Sequence, residues 1–189
     1  SAELVPYLWN EELYGNILCE GAQGFWLDIN EGNYPYTTSS VTLPYSACSL
    51  GFSPKLIDDI YGAVKIYDTR SGIDPFFPDE LLDNVELHKI GEVGEEYGVT
   101  TKRRRKVNWL NLNKLIYAIN VSGVNILIIS KVDILEQVGV FKLYYDDIVV
   151  TYGNMNEMKE YIKLKIGSEC PNVSSVKFSN NPHTITLNY

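Results

Sequence analysis

The order of apolar and polar positions along the chain predicts strands that alternate with helices, which is typical of an α/β protein. A continuous apolar run at residues 124–129 (VNILII) is typical of a strand covered on both faces in a parallel sheet. Residues 15–20 (GNILCE) predict a short buried strand that enters a glycine-punctuated turn at 21–24. Ligands of α/β proteins commonly bind where a strand enters such a turn.

The remaining pattern predicts three helices and one hairpin. Apolar residues recur at helical spacing through residues 53–66, behind a Ser-Pro start that favours a helix N-terminus. Residues 110–118 and 155–164 also predict helices. Residues 138–145 and 147–152 predict the two strands of a hairpin.

The composition indicates a folded, acidic protein. Of the 189 residues, 45% are apolar and 12% are aromatic, which is enough to bury a core. The formal net charge of −8 argues against binding to nucleic acids or anionic membranes, because both require a surplus of lysine and arginine. No stretch approaches the roughly 18 apolar residues of a membrane span. We therefore expect any anionic ligand to be held by local groups.

The metal-binding residue types are sparse. Cys19, Cys48 and Cys170 lie far apart without CxxC spacing, and His88 and His183 are isolated as well. This pattern is typical of reduced thiols in the cytoplasm and predicts no zinc site.

Three of the four arginines in the chain are consecutive. Arg103, Arg104 and Arg105 lie between Lys102 and Lys106. One interpretation is a solvated surface loop or a basic patch like those of nuclear-import signals. The other is a clamp for a carboxylate or phosphate, because guanidinium groups bind such anions through two parallel hydrogen bonds.

Two further charged segments follow predicted strands. Arg70, within residues 65–72 (KIYDTRSG), fits either a structural pair with an aspartate or a functional site. Lys131 and Asp133 follow the apolar run, and their spacing puts both side chains on one side of an extended segment. At the carboxyl end of a strand, Asp133 could accept the donors of a guanine edge while Lys131 covers the ring. An exposed charge pair is the alternative.

Taken in order, these segments resemble the adenylosuccinate synthetase family. The matching motifs are EGAQG at 20–24, LDI at 27–29, Gly32, YPY at 34–36, TSS at 38–40, KxYxTR at 65–70, GxxPF at 72–76, EL at 80–81, EYGxTT at 96–101, RRR at 103–105, WL at 109–110 and KxDxL at 131–135. The resemblance covers residues 17 to about 150, and SNNP at 179–182 matches more loosely the family's C-terminal Ser-x-Gly-Pro turn. It implies part of a large, mostly parallel central sheet flanked by helices, with a small antiparallel hairpin.

The resemblance also implies three groups of binding residues. The residues that would contact a purine nucleoside monophosphate are Gln23, Leu27, Thr38, Ser71 and Arg103. Those that would contact L-aspartate, in a mobile loop, are Thr100, Thr101, Arg103 and Arg105. Those that would contact the base of a nucleoside triphosphate are Lys131, Asp133, Ser179 and Asn181.

The implied activity is a ligase of purine nucleotide biosynthesis. It joins L-aspartate to the C6 position of IMP, or of dGMP in a viral branch that makes a 2-aminoadenine precursor, with GTP or ATP as the co-substrate. The resemblance further implies Mg2+ and a homodimer. The family takes its phosphate loop and its catalytic aspartate and histidine from an N-terminal half. Residues 1–189 are therefore expected to be the C-terminal portion of a single domain, to contain no catalytic or metal-binding residue, and to be inactive alone.

Three positions depart from the family pattern. Lys102 and Asn181 stand where the family usually has glycine, and Ser71 stands where it usually has valine beside the ribose. The change at Ser71 is compatible with a deoxynucleotide, whereas Asp133 favours GTP. The choices between IMP and dGMP, and between GTP and ATP, stay open.

Two other classes of function are weighed against the ligase. One is a non-catalytic nucleotide-binding or partner module of the same fold, which retains the aspartate loop and the base site. The other is an interaction protein that uses the arginine run to bind a macromolecule.

Overall fold

The computed structural model describes residues 17–51, 53–75, 77–98 and 102–181. Contacts within the chain separate two compact parts, Ser1–Ile60 and Tyr61–Tyr189. They are called the N-terminal part and the C-terminal part below, and each is described by itself.

The described residues of the N-terminal part form loops and short 3-10 helices. These helices are Phe25–Leu27, Pro44–Leu50 and Pro54–Leu56. The strand predicted for residues 15–20 is wrong over the described positions 17–20, which pair with no described strand. Leu18 is 86% exposed there. An apolar run forms a strand only where another strand satisfies its backbone N–H and C=O groups.

The helix predicted for residues 53–66 is also wrong. Ser53 caps only one 3-10 turn, where its hydroxyl accepts a hydrogen bond from the Lys55 amide. Tyr61–Lys65 then forms a strand that pairs in register with Ile126–Ser130. Local helical spacing is a weaker determinant here than pairing with a distant strand.

The C-terminal part contains two sheets. Its described strands are β1 (Tyr61–Lys65), β2 (Tyr67–Arg70), β3 (Lys106–Asn111), β4 (Ile126–Ser130), β5 (Lys142–Tyr145), β6 (Ile148–Thr151) and β7 (Ser175–Phe178). The first sheet has the order β1-β4-β7 and is entirely parallel. The predicted buried parallel strand is therefore confirmed as β4, in which Leu127 and Ile129 are 1% and 0% exposed.

The second sheet is mixed and has the order β2-β3-β5-β6. Strands β3 and β5 are parallel, whereas β2 with β3 and β5 with β6 are antiparallel. The predicted hairpin is confirmed as β5 and β6. Its turn is formed by Asp146 and Asp147, both with positive φ, which is the backbone geometry of a tight hairpin turn.

The described helices are α1 (Val85–Val93), α2 (Leu112–Ser122), α3 (Val132–Val138) and α4 (Met155–Glu169). The predicted helices at 110–118 and 155–164 are confirmed as α2 and α4. Asparagine caps three of the four: the side chains of Asn84, Asn111 and Asn154 accept a hydrogen bond from the first turn of α1, α2 and α4. Gly123 and Gly139, both left-handed, end α2 and α3.

The hydrophobic core of the C-terminal part lies among its strands and helices. Its most deeply buried side chains include Ile66, Leu87, Ile90, Leu110, Leu112, Leu127, Ile129, Leu135, Leu143, Met158, Ile162 and Ile166. Helices α1 and α4 both contact α3. This packing holds the carboxyl ends of β1, β4 and β7 at one edge of the parallel sheet.

The described helices include none with the length and apolar character needed to cross a membrane. The three cysteines are free thiols, of which Cys19 is exposed and Cys170 is buried. Burial raises the pKa of the Cys170 thiol.

Burial raises the pKa of the Asp68 carboxyl in β2 to about 7, although the Asn111 amide and the charge of Lys114 oppose the shift. The carboxyl of an unfolded aspartate has a pKa of about 3.9, so the folded protein binds more protons than the unfolded chain between these two pH values. Its stability therefore falls as the pH rises through this window. From about pH 4 to about pH 8, we predict that wild type loses on the order of 4 kcal/mol of unfolding free energy through Asp68, because a pKa difference of about three is worth about 1.4 kcal/mol for each unit. The variant Asp68→Asn has no such carboxyl and should not show this loss.

Urea unfolding at both pH values measures this loss. Asp83→Asn is the matched control, because Asp83 is exposed. An equal pH dependence in wild type and Asp68→Asn would contradict the prediction.

Candidate functional site

A buried carboxylate lies at the carboxyl end of β1. Glu96 follows α1, and its side chain is 3% exposed. Lys65, the last residue of β1, donates to both Glu96 oxygens at 2.8 and 2.7 Å. The Tyr67 hydroxyl donates to Glu96 Oε1 at 2.8 Å, and Arg105 Nη1 donates to Glu96 Oε2 at 3.3 Å. Four segments of the C-terminal part therefore meet at one negative charge.

The pKa shifts follow from this geometry. Burial alone would raise the pKa of Glu96, but the hydrogen bonds and charges of Lys65 and Arg105, with the Tyr67 hydroxyl, hold it below its usual range. Desolvation lowers the pKa of Lys65 despite the neighbouring Glu96, with smaller contributions from Arg105 and Lys131. Burial and the Glu96 charge raise the pKa of Tyr67, so its hydroxyl stays a donor.

The arginine run leads into β3, and backbone contacts join it to the segment that follows α1. The Gly98 amide donates to the Arg103 carbonyl at 2.8 Å, and Tyr97 forms an isolated antiparallel bridge with Arg104. Arg104 turns towards α1, where its Nη2 donates to the His88 carbonyl at 3.1 Å. Arg105 contacts Glu96 instead, and Arg103 is exposed. Arg104 and Arg105 therefore contact different segments of the C-terminal part.

The two threonines predicted to bind aspartate precede the arginine run. Thr100 and Thr101 fall outside the described residues. Lys102, which follows them, is exposed and has a left-handed backbone with φ 55°. The contacts of both threonines with L-aspartate stay predictions.

The residues predicted to bind a triphosphate base come together at the carboxyl ends of β4 and β7. Ser179 directly follows β7, and its carbonyl accepts a hydrogen bond from the Val132 amide at 3.3 Å. The Ser179 hydroxyl donates to the Asn181 carbonyl at 2.8 Å. Lys131 and Asp133 flank Val132 in sequence. The structure thus groups Lys131, Asp133, Ser179 and Asn181 at one edge of the parallel sheet.

The backbone at Lys131 and Asp133 differs from the prediction. The prediction that these residues lie in an extended segment is wrong. The backbone of Lys131 is left-handed, with φ 64°, and Asp133 lies in the first turn of α3. Lys131 Nζ donates to the Gly94 carbonyl at 3.1 Å. Gly94 ends α1 two residues before Glu96, so this contact joins the base group to the carboxylate cluster.

Ser71 lies beside a buried ion pair. Arg70, at the end of β2, contacts Asp74 at 3.2 Å, and these residues are 8% and 4% exposed. The structural aspartate partner considered for Arg70 is therefore present. Ser71 itself is exposed, and β2 pairs Arg70 with Lys106 at the start of β3. This places Ser71 near the point where the arginine run enters the sheet.

The other residues predicted to contact the monophosphate belong to the N-terminal part. The Thr38 amide donates to the Leu27 carbonyl at 2.7 Å, so these two positions meet. Gln23 is exposed and left-handed, with φ 69°. It lies four residues before Leu27 on the same loop.

Asp28 holds this loop together. The carboxylate is fully buried and accepts hydrogen bonds from the amides of Asn30, Glu31 and Thr42. Burial alone would raise the pKa of Asp28, but these hydrogen bonds lower it below its usual range. Gly32 is required beside it, because a Cβ there would lie 2.6 Å from the Asp28 carbonyl oxygen.

The described residues contain no cluster of three or more His, Cys, Asp or Glu side chains that could hold a metal ion.

Fold and site together define an α/β protein with cationic side chains gathered at the carboxyl edge of a parallel sheet. A model of the adenylosuccinate synthetase family matches residues 3–166. The adenylosuccinate synthetase of Petrotoga mobilis is 47% identical over 121 residues, which are 64% of this chain and 28% of that protein. The adenylosuccinate synthetase of Christiangramia forsetii is 41% identical over 162 residues, which are 85% of this chain and 36% of that protein.

A solved structure supports the same relationship. The fully ligated adenylosuccinate synthetase from Plasmodium falciparum aligns with a TM-score of 0.69 at 26% identity, covering 86% of this chain and 47% of that chain. The chain belongs to the adenylosuccinate synthetase family, and it spans 28% and 36% of the two curated relatives above.

Sequence reasoning assigned no role to Glu96, Lys65 or Tyr67, although all three lie within the matching motifs. Glu96 is 31 residues from Lys65 and 29 from Tyr67. No spacing rule links residues so far apart. The available signal was the position of Glu96 shortly before the arginine run, because a glutamate that becomes buried needs a cationic partner.

We predict that Asp28→Asn loosens the loop of the N-terminal part. The new amide group would face backbone N–H donors, so the loss should be about 2 kcal/mol of local stability. Because the folded pKa of Asp28 is lowered, its contribution is present above roughly pH 3.9 and is lost as the pH falls through the folded pKa.

Amide hydrogen exchange at Asn30, Glu31 and Thr42 measures this loss at neutral pH. Exposed Asp58 provides the control Asp58→Asn. Unchanged exchange at all three amides would show that Asp28 does not hold the loop.

Proposed function

We propose that this chain forms part of a ligase that joins L-aspartate to the C6 position of a purine nucleoside monophosphate. The purine is IMP or dGMP, and the phosphoryl donor is GTP or ATP. Family membership supports this class of reaction. The observation that carries the aspartate assignment is Arg105, which has one hydrogen bond to Glu96 and a side chain that is 30% exposed. Its other N–H groups can receive a carboxylate.

The proposed reaction has two steps. The N1 proton of the purine is lost as the terminal phosphoryl group of the triphosphate moves to O6, which releases the nucleoside diphosphate. The amine of L-aspartate then attacks C6, the C6–O bond breaks, and inorganic phosphate leaves. The amine proton is released, and the product is a succinyl-purine nucleotide. Phosphoryl transfer of this kind generally uses Mg2+, whose ligands would lie outside this chain.

Each of the three proposed groups of residues would bind a different substrate. Arg103 and Arg105, with Thr100 and Thr101, would bind aspartate. Lys131, Asp133, Ser179 and Asn181 would bind the base of the triphosphate. The residues that would contact the monophosphate are Gln23, Leu27, Thr38, Ser71 and Arg103. The family further suggests a cytoplasmic location and a homodimer. Sedimentation of the reconstituted protein would test whether it is a dimer.

An absorbance assay for the succinyl-purine product tests the activity. The chain is mixed with L-aspartate, Mg2+ and each pairing of IMP or dGMP with GTP or ATP, with and without the N-terminal half of a relative. We expect product only when that half is supplied, and the productive pairing identifies the substrates. Product from the chain alone would show that it needs no other half. Nucleotide binding without product in either mixture would favour the non-catalytic module.

We predict that Arg105→Ala raises the KM for L-aspartate about 100-fold, because a bidentate, charge-assisted contact is lost. Steady-state kinetics of the reconstituted enzyme measures the change. Lys89→Ala removes an exposed cation from α1 and serves as the control for net charge. Equal effects of the two substitutions would exclude a direct contact between Arg105 and aspartate.

A further inference from the structure

Glu96 accepts hydrogen bonds from three side chains that belong to separate segments. Its donors are Lys65 at the end of β1, Tyr67 in β2 and Arg105 before β3. The Glu96 side chain is 3% exposed, so this carboxylate is not a surface counterion. Buried charges persist in proteins where they are paired and hydrogen-bonded.

The two cations beside Glu96 are held differently. Lys65 uses all three ammonium donors, two on Glu96 and one on Thr69 Oγ1 at 3.1 Å. Arg105 makes one longer contact of 3.3 Å and keeps further N–H groups. Lys65 is therefore the counterion of Glu96, and Arg105 retains donors for a ligand.

Backbone and side chain of Glu96 both hold Arg105. The Arg105 amide donates to the Glu96 carbonyl at 2.9 Å, while Arg105 Nη1 contacts the Glu96 carboxylate. These contacts fix both ends of the arginine residue. A guanidinium held in place before its ligand arrives loses less conformational freedom on binding.

The local charge also favours an anionic ligand. Lys65 and Arg105 contribute two positive charges, and Glu96 contributes one negative charge. Lys131 and Asp133 also act on this cluster, and their charges are opposite. One positive charge is therefore left in a protein whose formal net charge is −8. A carboxylate that reaches Arg105 would complete the local neutralisation.

We propose that Glu96 is the positioning residue that holds the Arg105 guanidinium for a carboxylate of L-aspartate. This inference rests on the function proposed above. Glu96 does not touch the substrate, and its effect passes through Arg105.

The first test follows Arg105 without any substrate. The measurement is the NMR spectrum of the guanidinium groups in protein with 15N-labelled arginine. The chain has four arginines, so the signals are few, and the variant Arg105→Lys identifies the signal of Arg105. We expect Glu96→Gln to collapse the resolved Nη signals of Arg105, because rotation of the guanidinium is no longer restrained. Glu95→Gln is the matched control, since Glu95 is exposed and adjacent in sequence.

Glu96→Gln leaves Lys65 buried beside a neutral amide and could prevent folding. The double variant Lys65→Met with Glu96→Gln removes both charges of the pair and is measured beside it. Resolved Arg105 signals in the folded double variant, equal to those of wild type, would overturn the proposal.

The second test uses the chain reconstituted with an N-terminal half. We expect Glu96→Gln to raise the KM for L-aspartate about tenfold or more, with a much smaller change in kcat. A lowered kcat with unchanged KM would overturn the assignment to aspartate. If wild type neither binds L-aspartate nor forms product, the proposed function fails, whereas the Arg105 signal still decides whether Glu96 positions this side chain.

Discussion

The structure of the C-terminal part depends on one buried negative charge. Without the carboxylate of Glu96, Lys65 would carry its charge in a partly buried position at the end of β1, and Arg105 would lose its side-chain contact. An unpaired buried charge is far more costly than a broken surface pair. The connection from α1 to β3 is therefore tied to the parallel sheet by electrostatics as well as by packing.

The parallel sheet determines which residues can meet. Its strands β1, β4 and β7 come from distant parts of the sequence, yet their carboxyl ends lie at one edge. Lys65, Lys131 and Ser179 occupy these ends, and Lys131 reaches back to the Gly94 carbonyl near Glu96. A cation-rich edge therefore forms in an acidic protein without any surplus of basic residues in the whole chain.

The sequence predicted elements whose signals are local. The apolar run of β4, the hairpin of β5 and β6, and α4 behind its asparagine cap all form as expected. The helix expected at 53–66 fails because β1 pairs with a strand about 65 residues away, and periodicity carries no information about that partner. The site shows the same limit: the arginine run was evident from its concentration, whereas the role of Glu96 exists only through contacts between distant segments.

Residues with a left-handed backbone occur where the local sequence pattern does not predict the conformation of the chain. Six non-glycine residues have positive φ among the described residues, and Asp146 and Asp147 form the hairpin turn. Of the other four, Gln23 and Lys131 belong to predicted binding groups, Lys102 lies between Thr101 and Arg103, and Glu95 precedes Glu96. A left-handed residue of this kind costs about 1 kcal/mol or more and persists only where its surroundings hold it. At Lys131 two hydrogen bonds provide that restraint. The amide of the next residue, Val132, donates to the Ser179 carbonyl, and the Lys131 ammonium group donates to the Gly94 carbonyl. The extended segment expected at Lys131 was wrong because the chain must turn sharply there to start α3 while its lysine stays at the sheet edge.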